Sequence, residues 1–248
     1  MNNEYKVNHK VKYSEIDNNY NMRLDHIFNH FQDITGLHSV EMEIDGQTML
    51  EQSNAFWVLT KMKVKIHRIP KFQENIIIET WPTFAKGVKF GRDYIIKNER
   101  EVLVSCCSEW CMLDFDTKRI RRVESVHYPH SMIHRQDKSD AGEFLRIKEK
   151  LDYYDFNHCH KIQFCDIDTN NHTNNIAYAR MVLNSFTLEE LSELSIKEIQ
   201  LLYLNQSFIF DEINIFKKKT EYGYYIEGHC KENVVFSSII STNTKLSI

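Results

Sequence analysis

Long apolar runs are missing from this sequence. No stretch reaches the roughly 20 consecutive apolar residues of a bilayer-spanning helix, and no basic-then-apolar leader precedes the first recognisable motif. The expectation is a soluble, cytoplasmic protein without membrane insertion. Excess positive charge is missing too: 31 Lys and Arg stand against 35 Asp and Glu, for a net charge of −4. The chain as a whole therefore lacks the electrostatic footprint of a nucleic-acid binder. The six cysteines (Cys106, Cys107, Cys111, Cys159, Cys165 and Cys230) contain no CxxC pair and no regular framework, which fits reduced thiols rather than disulfides. Cys107 and Cys111, or His127, His130 and His134, lie close enough in sequence to raise a metal site, but their spacings match no zinc pattern. No metal and no cofactor are expected.

What the chain does contain is a repeat. Residues 9–19, HKVKYSEIDNN, return as residues 160–170, HKIQFCDIDTN, at a constant offset of 151 (160 − 9 = 151). Five of the eleven positions are identical, and the Val/Ile, Tyr/Phe and Glu/Asp exchanges keep their physical character, so the chain reads as two related halves. A length of 248 residues accommodates two domains of ordinary size. The copies then part. The second has His172 where the first has Asn21, so only the second keeps an imidazole able to move protons near neutral pH.

Each copy is followed by a helical stripe. In the first half Leu24, Ile27, Phe28, Phe31, Ile34 and Leu37 recur at spacings of three and four, one face of a helix. In the second, a helix is expected from about 175 through Tyr178, Val182 and Phe186. Strand-like segments follow at 56–59, 64–69, 76–81, 89–96 and 102–113, and in the second half at 161–164, 199–207, 212–219, 224–231 and 234–241. Lys61, Lys63, Lys65 and His67 alternate with Met62, Val64 and Ile66, the period of a strand with one wet face. From 134 to 155 charged residues dominate, as expected of a linker with some helical content. The division is domain 1–130, linker 131–158 and domain 159–248. A long helix followed by an antiparallel meander, occurring twice, is an α+β arrangement that resembles the hot dog fold in tandem. Fusing the copies would make internal the pair that such domains ordinarily form between chains, an intramolecular pseudo-dimer.

Residues 168–175, DTNNHTNN, form a polar loop directly ahead of the second helix. A helix start offers free N–H groups and partial positive charge, suited to a developing oxyanion; the same residues also suit an elaborate helix cap. On composition alone both readings stand. The pattern Asp168-x-Asn170-x-His172-x-Asn174-Asn175 with Tyr178, together with Trp57, Arg68-x-Pro70, Thr80-Trp81 and residues 90–94 (FGRDY), resembles the acyl-acyl carrier protein thioesterases.

That resemblance implies hydrolysis of a fatty acyl thioester of acyl carrier protein, ending fatty-acid elongation, with the carrier protein as partner and a homodimer of the tandem chain allowed. By position, Asp168, Asn170 and His172 match the family's catalytic residues, while Gln206 stands where the family has a Glu and Ser207 where it has a Cys. A glutamine can orient water but cannot take its proton. Asp168 is thus expected to orient the loop, Asn170 and helix-start N–H groups to steady the thioester oxygen, and His172 to accept the proton. Asp17 and Asn19, the first-copy equivalents, are expected to be structural, and the first domain to supply the acyl pocket, with Phe28, Phe31 and Ile34 either lining it or serving as plain core. An acidic carrier protein calls for a basic landing area: the cluster Lys118, Arg119, Arg121 and Arg122, or its rivals Lys61/Lys63/Lys65 and Lys217/Lys218/Lys219. Turnover of acyl-coenzyme A, and acyl-thioester binding without hydrolysis, are the alternatives.

Overall fold

The computed structural model describes residues 3–129, 135, 137–146 and 149–242; His130 and His134, two of the histidines weighed as metal ligands, lie outside them. The chain divides into two compact units, Met1–Gly142 and Glu143–Ile248.

In the first unit, strand β1 (Tyr5–Lys10) leads through a 3-10 turn to helix α1 (Leu24–Glu41) and helix α2 (Gly46–Ser53). Strands β2 (Ala55–Ile66), β3 (Asn75–Lys86), β4 (Lys89–Lys97), β5 (Val102–Asp114) and the short β6 (Ile120–Arg121) follow. The sheet is antiparallel in the order β1-β3-β4-β5-β2, with β6 on β5. Two segments expected as separate strands, 56–59 and 64–69, fall on one strand that ends at Ile66, with a shift of register between Leu59 and Lys61. α1 buries Ile27, Phe28, Phe31 and Ile34, each at most 2 % exposed, each such side chain stabilising by roughly 1.5–3 kcal/mol. The stripe does not run on to Leu37, which is 51 % exposed; His38 takes the inward position. The helical period favours 38 after 34, and Arg92 donates to His38 Nδ1 at 2.9 Å, supplying the buried partner that the imidazole needs.

The wet face expected for β2 is also corrected. Lys63 is buried, Lys61 pairs with Glu109, and Lys65 pairs with Asp140. Residues 137–142, read from the sequence as linker, lie against the first unit: Asp137 O accepts from Trp81 Nε1, Ser139 N–H donates to Asp93 Oδ2, and Ser139 Oγ donates to Cys106 O. The helical content expected in the linker is limited, among the described residues, to a 3-10 turn at Tyr153–Asp155.

The second unit repeats the plan: β7 (Phe156–Lys161), α3 (Asn175–Asn184), α4 (Leu188–Glu193), β8 (Ile196–Tyr203), β9 (Glu212–Thr220), β10 (Gly223–Cys230) and β11 (Asn233–Thr242). Its sheet order, β7-β9-β10-β11-β8, is the first unit's order strand for strand. β7 lies earlier than the expected 161–164, because Phe164–Asp166 is a 3-10 turn. β8 likewise stops before the expected 207, where the N–H groups of Leu204 and Asn205 both turn to Val235 O. The architecture is α+β, two tandem hot dog domains each built from a helix and an antiparallel sheet. All six cysteines are free. No helix among the described residues is long and apolar enough to cross a membrane.

Candidate active site

The loop after β7 is set by its carboxylates. Asp166 Oδ2 accepts from Gln163 N–H and bonds His160 Nε2, both at 3.0 Å, closing the 3-10 turn. Ile167 and Thr173 then bridge, and residues 168–172 fold around one side chain. Asp168 Oδ1 accepts from the N–H groups of Asn170 (2.8 Å) and His172 (3.2 Å), while Asp168 N–H donates to His172 O at 2.9 Å. Asn171 takes φ 61°, a left-handed conformation that Asn tolerates better than most residues. Asp168 therefore organises the loop with one oxygen; its other oxygen has no hydrogen-bond partner among the described residues. Asn170 is exposed and His172 half-buried, its ring edge-on to Phe208 at 5.3 Å and 74°.

Gln206 is brought to this loop through its neighbour. Thr173 N–H donates to Ser207 O at 2.9 Å, so the residues next to that bond, His172 and Gln206, sit on adjoining segments. Gln206 is exposed. Ser207 is fully buried, its hydroxyl joined to Thr173 Oγ1 at 2.7 Å and to Tyr178 OH at 2.8 Å, and Thr173 Oγ1 donates to Ser207 O. Burial raises the Tyr178 pKa, opposed by its bonds to Ser207 and Thr173, so the phenol stays a donor. One proton per oxygen satisfies all three hydroxyls if Tyr178 donates to Ser207 and Ser207 to Thr173. Ser207 is thus a structural hub, and the sequence reading missed it; the Tyr178 position in the motif was the available signal.

The helix start does less for an oxyanion than expected. Asn174 caps α3, its side chain accepting from Ile176 N–H, its own N–H donating to Asp166 O, and its carbonyl accepting from Ala177 N–H. Cap and site readings coexist here: Asn174 caps, and the residues before it remain presented. In the first unit the same frame surrounds Asp17, whose Oδ1 accepts from the N–H groups of Asn19 and Asn21 at 2.8 and 2.9 Å. Phe28, Phe31 and Ile34 are buried in that unit's core.

The basic clusters differ in freedom. Lys118, Arg119 and Arg122 are exposed, whereas Arg121 pairs with Asp114 at 3.0 Å. Lys217 pairs with Glu190 and Lys218 donates to Lys150 O.

The family model for the acyl-ACP thioesterase N-terminal domain matches residues 2–128, and that for the acyl-ACP thioesterase C-terminal domain matches residues 149–245. This chain belongs to the acyl-ACP thioesterase family. Among its relatives is the chloroplastic oleoyl-acyl carrier protein thioesterase of Coriandrum sativum, 26% identical over 216 residues, covering 80% of this chain and 58% of that protein. The chloroplastic palmitoyl-acyl carrier protein thioesterase of Gossypium hirsutum is 23% identical over 210 residues, covering 80% and 51%. The chain thus spans little more than half the length of these curated relatives. The fold matches an acyl-ACP thioesterase from Bacteroides thetaiotaomicron (TM-score 0.84, 18% identity, 97% of this chain and 98% of that one). It matches the 12:0-ACP thioesterase from Umbellularia californica equally well (TM-score 0.84, 17% identity, 98% of each).

Proposed function

We propose that this protein hydrolyses fatty acyl-acyl carrier protein, releasing free fatty acid and the carrier protein thiol, and that residues 168–172 carry the chemistry. The observation behind this reading is the Asp168 turn, which presents Asn170 and His172 beside the segment bearing Gln206 in a member of the thioesterase family. Asp168 holds the loop. His172 takes a proton from water as the oxygen adds to the thioester carbon, and returns it to the sulfur as the C–S bond breaks. Asn170 donates to the carbonyl oxygen as charge develops there, and Gln206 orients the water through its amide. The proposal uses no thiolate: Ser207 occupies the cysteine position of the family pattern.

Purified protein should release thiol from acyl carrier protein thioesters of suitable chain length, in the cytoplasm as in the test tube. The exposed Lys118, Arg119 and Arg122 are our choice of carrier docking surface. Reversing all three to Glu should lower turnover of the carrier-protein thioester about tenfold and leave the acyl-coenzyme A thioester unchanged; equal loss on both would remove the docking assignment. Gln206 also motivates a second reading, binding without hydrolysis. An acyl carrier protein thioester that stays bound and intact for hours would establish it and overturn the first.

A further inference from the structure

The first unit holds a cluster that the hydrolysis does not use. His9 on β1, Glu15 in the following 3-10 turn and His30 on α1 bring their donor atoms within 4.8 Å of one another. His9 Nε2 lies 2.8 Å from Glu15 Oε2, and His30 Nε2 lies 3.3 Å from Glu15 Oε1, so the carboxylate faces an imidazole with each oxygen. The ring centroids of His9 and His30 are 4.5 Å apart. The three side chains are 14%, 9% and 13% exposed. We propose that His9, Glu15 and His30 form a binding site for one divalent transition-metal ion, zinc being the best match to two imidazoles and a carboxylate.

Several features support it. Donor atoms bound to a tetrahedral zinc at about 2.0–2.1 Å lie roughly 3.3–3.5 Å apart, so small side-chain rotations suffice here. Among the described residues three protein ligands are offered, leaving a fourth position for water. The carboxylate is already oriented by Lys12 N–H, which donates to Glu15 Oε2 at 2.7 Å, an outer-shell contact of the kind that supports a ligand. His30 Nε2 is buried, and no hydrogen bond reaches it among the described residues.

The repeat separates what the fold needs from what is added. In the second unit His160, Asp166 and Gln163 N–H reproduce the His9, Glu15 and Lys12 contacts, yet position 181 (30 + 151 = 181) is Met181. A His-carboxylate pair is thus enough to close the turn, and His30 exceeds that need. Lys12 and His26 lie near enough to oppose an added cation, which weakens its binding.

The test uses the full chain, freed of metal with a chelator and titrated with Zn²⁺ against a chromophoric competitor. The wild type should bind one equivalent that is weakened at least tenfold by His30→Met, which copies the second unit, and by His9→Gln, while His160→Gln leaves it unchanged. With Co²⁺ in place of zinc, the wild type should show the visible absorption of a low-coordinate site and His30→Met should not. Circular dichroism checks that the variants are folded, and two independent substitutions guard against misfolding of either. The proposal is overturned if the wild type binds nothing beyond the two variants, which would leave only scattered surface histidines as ligands.

Discussion

The loops at 17–22 and 168–173 have nearly the same backbone and very different prospects. In each, an aspartate carboxylate accepts two N–H groups, the aspartate N–H closes the loop on the carbonyl four residues on, and the fourth residue has positive φ, Tyr20 at 62° and Asn171 at 61°. Each is followed by an N–H bonded to a partner loop: Met22 to Pro70 O and Thr173 to Ser207 O, residues 137 apart (207 − 70 = 137). At the same offset the positive φ of Gln73 (64°) recurs at Phe210 (70°). The difference lies in side chains. The first copy has Asn21, and its partner loop is braced by ions; the second has His172, a buried hydroxyl hub and an uncharged Gln206. The frame recurs in both copies, and the proposed chemistry calls on side chains that only the second copy carries.

The largest effect should come from removing the shared aspartate. Asp168→Ala should lower acyl carrier protein thioester hydrolysis by on the order of a hundredfold or more, since it disorders the segment bearing Asn170 and His172. Asp17→Ala breaks the same two hydrogen bonds and should cost about 1–2 kcal/mol of stability with turnover within about threefold of wild type. Steady-state kinetics and denaturant unfolding on both variants check this, and equal loss of activity would dissolve the distinction between the copies.

Next is the partner loop. Ser207→Ala leaves Thr173 Oγ1 and Tyr178 OH short of a buried partner and should destabilise by about 1–3 kcal/mol, measured by urea unfolding. Pro70→Ala at the matching position removes no side-chain hydrogen bond and should cost less than about 1 kcal/mol.

The smallest effect concerns the ionic brace of the first copy. Arg68 bonds Glu74 through both terminal nitrogens and Glu101 through Nε. The equivalents of Arg68 and Glu74 are Asn205 and Asp211, which cannot form an ion pair. Hydrogen bonds from Arg68, against the opposing effect of burial, hold Glu74 at about 2. A depressed carboxyl stabilises the fold above its unfolded value near 4.5, and that contribution is lost as pH falls from there through about 2. Arg68 is 36% exposed, so after solvent screening Glu74→Gln should cost only on the order of 1 kcal/mol at pH 7. Its acid unfolding should lack the wild type's added loss below pH 4.5.

Much of this frame was legible. The 151-residue repeat marks both 3-10 turns and both aspartate loops, and the apolar periods mark α1 and most strands. What escaped depended on groups far apart in sequence. Leu37 follows the apolar spacing, but His38 is buried because Arg92 on β4 meets it. Lys63 alternates like a wet residue, but residues 137–142 cover that face. Ser207 looked like the end of a strand and is instead the meeting point of Thr173 and Tyr178. His9, Glu15 and His30 lie on three separate elements, gathered by the turn between β1 and α1, so close spacing of histidines or cysteines in the sequence does not mark them.

The proposed placement of the chemistry in the second copy is tested most directly by turnover of acyl carrier protein thioester with His172→Ala and Asn21→Ala measured side by side. His172→Ala should lose on the order of a hundredfold or more, while Asn21→Ala, at a half-buried position outside the proposed chemistry, should stay within about twofold of wild type. Undiminished hydrolysis by His172→Ala, or equal losses in both variants, would contradict the placement of the chemistry in the second copy.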